Sequence, residues 1–160
     1  MFLSPKGIIL KEEVENGFED PPENCIRVLA GICSATKVLM SIAVPRKGAD
    51  AEGFAAQSLA DSIAWLGHAK VALRSDNEPA LLQLVKAATN TLKMGGTDVT
   101  NEGSPQYGPQ SNGAAESEVR STKGQVRAIQ LGLEHELQSH VPVGHPIMTW
   151  LARHAAMVRT

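Results

Sequence analysis

The sequence predicts a mixed α/β fold, and three observations carry that prediction. Two short apolar runs, Ile26 to Ser34 and Val38 to Val44, are separated only by Ala35-Thr36-Lys37, the spacing of an antiparallel hairpin. Further along, apolar positions recur every three or four residues, as on amphipathic helices. Brief apolar runs interrupt those stretches, giving the order strand, strand, helix, strand, helix, strand, helix, helix. That order is mixed rather than alternating and doubly wound. Neither a GxGxxG fingerprint nor a phosphate-cradling P-loop is present.

Each element has a local reason. Pro45 ends the second run, and Phe54, Leu59, Ile63 and Leu66 then mark a helix that Gly67 closes. Val71-Ala72-Leu73 enters Arg74-Ser75-Asp76, a strand ending on a carboxylate. Glu78-Pro79 opens the next helix, where the missing proline N–H does no harm. Leu81, Leu82, Leu84, Val85 and Ala88 are expected to supply its inward face. Gly95-Gly96 breaks the pattern, and Thr97 to Asn101 is expected as a short strand. Glu102 to Gly113 holds three glycines and two prolines and reads as a loop. A long helix follows from about Ala114 to Gln138, with Ala115, Val119, Thr122, Val126, Ile129, Leu133 and Leu137 as its stripe. A final helix is expected from about Ile147 to Val158.

At 160 residues the chain suits one domain, and with 42% hydrophobic residues it has the apolar content to fold. No apolar run approaches the roughly 20 residues that span a bilayer, and the patch before Pro5 and Lys6 is too short for a signal peptide. Two cysteines, Cys25 and Cys33, make no disulfide framework, so an intracellular setting, nuclear or cytoplasmic, is expected. The net charge of −2 argues against a generically basic nucleic-acid binder. That total conceals an imbalance: residues 1–69 sum to −3 and residues 70–160 to +1. Six of the nine acids in residues 1–69 lie between Lys11 and Asn24, expected as a solvated loop because Gly17, Pro21 and Pro22 interrupt it.

Chemistry is concentrated in the second half. Asp76 stands at the end of a strand, where open α/β sheets place their sites. Glu116 falls in the first turn of the long helix, where the helix dipole also favours an acid. Two converging carboxylates offer the hard oxygens Mg²⁺ requires. Arg120, Lys123 and Arg127 follow Glu116 at four, seven and eleven residues, stacking on one helical face beside the stripe. Such a face suits a phosphodiester backbone, but from the spacing alone an ordinary solvated surface with a Glu116–Arg120 pair is the favoured reading. Among the other polar and aromatic residues, His135, His140 and His145 have no helical metal spacing. Trp65 and Trp150 are expected as core or interface anchors, and Gly124 and Gly132 as points of close helix packing.

The wording around Glu116 is more specific than its spacing. Tyr107-Gly108-Pro109-Gln110-Ser111-Asn112-Gly113-Ala114-Ala115-Glu116-Ser117 resembles the segment around the catalytic glutamate of retroviral and retrotransposon integrases. Arg74-Ser75-Asp76-Asn77 is similar to that family's second-aspartate motif, and the 39 residues between Asp76 and Glu116 are near the usual interval. The resemblance extends from the hairpin to the last helix. It implies a ribonuclease H-like mixed sheet flanked by helices, spanning residues 1–160 as one integrase core with residues 10–25 as an acidic loop. It further implies metal-dependent DNA 3′-end cleavage and strand transfer, with Asp76 and Glu116 as catalytic ligands to Mg²⁺ or Mn²⁺. Tyr107, Gln110 and Asn112 would lie on an active-site loop approaching DNA, and Arg120, Lys123 and Arg127 on DNA-contacting positions. The implied partners are DNA and a second core in a homodimer.

One element of the pattern is missing. The family carries a third carboxylate, an aspartate on its first strand, and no residue here takes that place. Cys33 aligns instead with a non-catalytic position of the second strand. Met1-Phe2-Leu3-Ser4 looks like the tail of the first strand, so the frame is expected to begin inside the core, with an aspartate codon just upstream. Loss of that ligand would impair catalysis, leaving as an alternative a non-catalytic retrotransposon remnant that keeps the fold and weak nucleic-acid binding.

Overall fold

The computed structural model describes residues 2–3, 25–103 and 113–159. The expected acidic loop, Tyr107, Gln110 and Asn112 lie outside them. The described residues form β1 (Phe2–Leu3), β2 (Ile26–Ile32), β3 (Leu39–Val44), α1 (Phe54–Trp65), β4 (Lys70–Ser75), α2 (Pro79–Met94), β5 (Asp98–Gly103), α3 (Gly113–Leu137) and α4 (Ile147–Arg159). The mixed α/β class is therefore as expected, and the elements fall in the expected order. No helix among the described residues is long and apolar enough to cross a membrane. The chain packs as two compact units, one from Met1–Ala43 with Ala115–Thr160 and one from Val44–Ala114.

In the first unit β2 is the middle strand of three. β1 pairs with it antiparallel, Phe2 opposite Arg27 and Leu3 opposite Ile26. The connection from β2 to β3 is too short for a crossover, so these strands are antiparallel as well. Cys33 N–H donates to the Val38 carbonyl (2.9 Å) and Lys37 N–H to the Cys33 carbonyl (2.8 Å), closing the hairpin through Lys37 at φ 63°. Neither Cys25 nor Cys33 is in a disulfide.

The core of this unit joins Val28 of β2, Val126 of α3 and Val141 to Met148, Leu151, Ala152 and Ala155 of α4. Ile26, Ile129, Leu133 and Ile147 pack around it. On α4 the buried positions step by three and four residues, and their alanines let the helix sit close to β2. Trp150 lies two residues from Met148, about 200° around the helix, and is 56% exposed with its ring stacked on His154 (4.5 Å). The same offset from Ile63 leaves Trp65 75% exposed on α1. Neither tryptophan is a core anchor, contrary to that part of the expectation.

Helix α3 buries Thr122 and Val126 and half-buries Val119, Ile129 and Leu133, while Leu137 at its end is exposed. Gly124 and Gly132 are exposed, and among the described residues a Cβ at either would meet nothing within 4 Å. Among the described residues, neither glycine makes the close helix packing expected of it. Gly124→Ala and Gly132→Ala are each expected to stabilise the protein by about 0.5–1 kcal/mol, read as a rise in the urea midpoint at unchanged slope.

The α3–α4 connection is tied down by polar contacts. Gln138 adopts φ 49°, and the N–H groups of Gln138 and Ser139 donate back to the carbonyls of His135 and Glu134. This is the Schellman closure, with glutamine where glycine is usual. The Glu134 carboxylate accepts from Val141 N–H (2.9 Å) and Gln130 Nε2 (3.4 Å), and lies 2.7 Å from His140 Nδ1. The Val141 hydrogen bond, assisted by His140 and Gln130, holds its pKa below the ordinary glutamate value. A depressed carboxylate stabilises the fold above its unfolded pKa and loses that contribution as pH falls through the folded one. Wild type is therefore expected to exceed Glu134→Gln in urea midpoint at neutral pH, with the gap closing below about pH 4. At the start of α4, His145 Nδ1 accepts from Ile147 N–H (3.2 Å), a helix-capping role for that imidazole.

In the second unit, β4 and β5 are parallel neighbours joined through α2, in register from Lys70↔Asp98 to Ser75↔Gly103. Helix α2 buries Leu84, Val85, Ala88, Thr89 and Leu92, and Thr89 Oγ1 donates to Asn101 Oδ1 of β5 (2.9 Å). Leu82 is off that seam and 42% exposed, correcting its expected inward position. Helix α1 packs on α2 through Ala55, Ala56, Ala60 and Ile63. Its first turn is capped by Asp50, whose carboxylate accepts from Phe54 N–H and Ala55 N–H, both at 2.8 Å. Those bonds, the one from Ala55 foremost, lower the Asp50 pKa.

Candidate functional site

The β4 strand alternates strictly in exposure, with Lys70, Ala72 and Arg74 outward and Val71, Leu73 and Ser75 turned inward. A parallel strand is more often buried on both faces, and the charged outward set explains why the sequence shows only a brief apolar run there. Asp76 follows Ser75 directly and is exposed, in phase with Arg74. Because β5 runs parallel and ends at Gly103 opposite Ser75, both strands deliver their C-terminal ends to one edge. The strand-end placement expected of Asp76 is what the fold provides. That edge also carries a cross-strand ion pair, Arg74 Nη2 to Glu102 Oε2 at 3.0 Å. The sequence pattern puts Glu102 in a loop, whereas β5 extends through it to Gly103.

Glu116 is the fourth residue of α3, in its first turn as expected. It belongs to the first unit and Asp76 to the second. Along α3, Arg120 and Arg127 are exposed and Lys123 is half-buried. At 100° per residue Lys123 stands on the border of the stripe that buries Thr122 and Val126. Burial lowers the Lys123 ammonium pKa, and the like charge of Arg127 adds to it. Among the described residues none of the three cations is in an ion pair, and they lie on one side of the helix as the spacing predicts.

Among the described residues no group of three or more His, Cys, Asp or Glu side chains is placed to hold a metal ion. The three histidines without a helical metal spacing are engaged locally: His140 with Glu134, His145 at the α4 cap, His135 beside Glu136. Sequence reasoning missed the Arg74–Glu102 pair because its members are 28 residues apart and only the parallel register joins them. It also missed Asp50, although an aspartate shortly before a helix is a legible capping signal. No family model matches the chain, and no curated protein is significantly similar to it.

Proposed function

We propose that the chain is the catalytic core of a DNA integrase of the retroviral or retrotransposon kind, a ribonuclease H-like fold that cleaves DNA 3′ ends and transfers them to target DNA. The observation that carries this is the wording from Tyr107 to Ser117, whose last residues open α3 and put Glu116 in its first turn. Asp76 at the end of β4 supports it. Asp76 and Glu116 would hold Mg²⁺ or Mn²⁺, and their carboxylates are the hard oxygen donors such a cation takes. When bound, the cation would activate the attacking oxygen and stabilise the leaving one. Tyr107, Gln110 and Asn112 would approach the DNA end, while Arg120, Lys123 and Arg127 track its phosphates as positioning contacts. The core would work as a homodimer on DNA.

A second reading has its own support. Among the described residues β1 is Phe2 and Leu3, both apolar, and neither can serve as the family's first-strand carboxylate. On this reading the chain keeps the fold and weak DNA binding without turnover, as a non-catalytic remnant.

The test is cleavage of a branched DNA duplex with Mg²⁺ or Mn²⁺. Glu116→Gln and Asp76→Asn are each expected to lower the rate by on the order of 10²–10³, the loss of a few kcal/mol of charge stabilisation. Metal-independent binding with no cleavage would select the remnant. Selective cutting of the RNA strand of a hybrid would replace both with a ribonuclease H-type nuclease.

A further inference from the structure

Beside Asp76 the β4–β5 edge carries a cation, Arg74, to which the integrase resemblance assigns no role. Arg74 and Glu102 face each other in register across the two strands, and their side chains meet at 3.0 Å. Both are about half exposed, at 54% and 44%. Such a pair is worth at most about 1 kcal/mol, so fold stability alone gives little reason for it. Its position is more informative. Arg74 is the penultimate residue of β4 and Asp76 follows its last, about 6.6 Å on for extended backbone, and both are exposed.

The guanidinium is built onto a rigid strand, and Glu102 fixes its direction. Among the described residues it spends only Nη2 on that carboxylate, while a guanidinium has five N–H donors. The remaining donors can take a phosphate oxygen in the fork geometry that arginine offers and lysine does not.

We infer that Arg74 is a phosphate contact for the DNA strand that reaches Asp76, with Glu102 as its positioning residue and exchangeable counter-ion. This rests on the integrase assignment for its substrate and adds a residue to that site. In the absence of DNA, Glu102 neutralises and orients the guanidinium. On binding, the phosphate competes with a carboxylate that is cheap to displace.

The second register pair on the same face supplies a control. Lys70 and Asp98 also pair across the strands, at 3.8 Å and with greater exposure, but at the opposite end from Asp76.

The experiment is binding of a fluorescently labelled branched DNA duplex to the full chain over a range of salt. Arg74→Gln is expected to make the slope of log K against log salt shallower by about 0.9, the loss of one phosphate contact. Arg74→Lys should restore the slope because it restores the charge. Glu102→Gln should tighten binding severalfold by removing the competitor, and Lys70→Gln should leave the slope unchanged. If Arg74→Gln and Lys70→Gln give equal slopes while Arg120→Gln reduces its own, the inference about Arg74 is wrong and DNA binding stands. If the wild-type chain binds no DNA, the integrase assignment falls and this inference with it.

Discussion

Leu151→Ala is expected to destabilise the protein by about 2–5 kcal/mol, the larger half of that range if the site fails to collapse. Leu151 is 1% exposed and lies among Val28, Val126, Val141 and Met148, which come from a strand, a helix, a loop and its own helix. Truncation removes transferred apolar surface and leaves a cavity whose walls are held by separate elements. Two neighbours on α4 are already alanines, Ala152 and Ala155, which leaves Met148 as the buried long side chain of that helix able to relax into the space. Met148→Ala should cost a similar amount, whereas Met148→Leu conserves volume and should cost less than about 1.5 kcal/mol. Urea denaturation reads all three. A loss below about 1 kcal/mol for Leu151→Ala would mean the α4 seam is not the core of its unit.

Gly48→Ala is expected to cost about 2–4 kcal/mol, the sum of two separable effects. Gly48 has φ 85°, a region that side chains with a Cβ enter only with strain. It also lies against the first turn of α2: an added Cβ would come within 3.0 Å of the Ala80 Cβ and 3.1 Å of the Ala80 carbonyl oxygen. Backbone on one side and a helix on the other leave little room to yield. Gly53 has φ 71°, and a Cβ there would meet nothing within 4 Å among the described residues, so it isolates the conformational part. Gly53→Ala should therefore cost only about 1–2 kcal/mol. The difference between the two variants measures the packing of the β3–α1 connection on α2, which the adjacent Lys47–Glu78 ion pair also joins. Adding Ala80→Gly to Gly48→Ala should recover part of that difference and none of the strain.

Much of the fold is legible because it is written locally. Pro79 at the start of α2, Gly67 with φ 71° after α1 and the three-residue gap in the hairpin each act over a few residues, and each lies where the sequence puts it. The stripe of α3 is readable for the same reason, since Thr122 and Val126 are a fixed angle apart on any helix. What failed depended on partners. Phe54 and Leu82 look like core residues by type and are exposed, while Ala55, Ala56 and Ala60 carry the α1 seam. Alanine contributes little to a hydrophobic pattern, yet it allows two helices to approach closely.

The candidate site divides along the same line. Asp76 at a strand end and Glu116 in a first helical turn follow from local sequence alone, as does the cationic side of α3. The sequence by itself also determined the mixed α/β class and the integrase resemblance, because both rest on short-range order along the chain. The parallel register of β4 and β5 was decided only by tertiary structure, since pairing energies depend on residues that are distant in sequence. That register draws Glu102 out of an expected loop and onto Arg74, and it brings both strand ends to the edge where Asp76 stands. Tertiary packing likewise decided that Gly48 must lack a Cβ and that Gly124 and Gly132 need not.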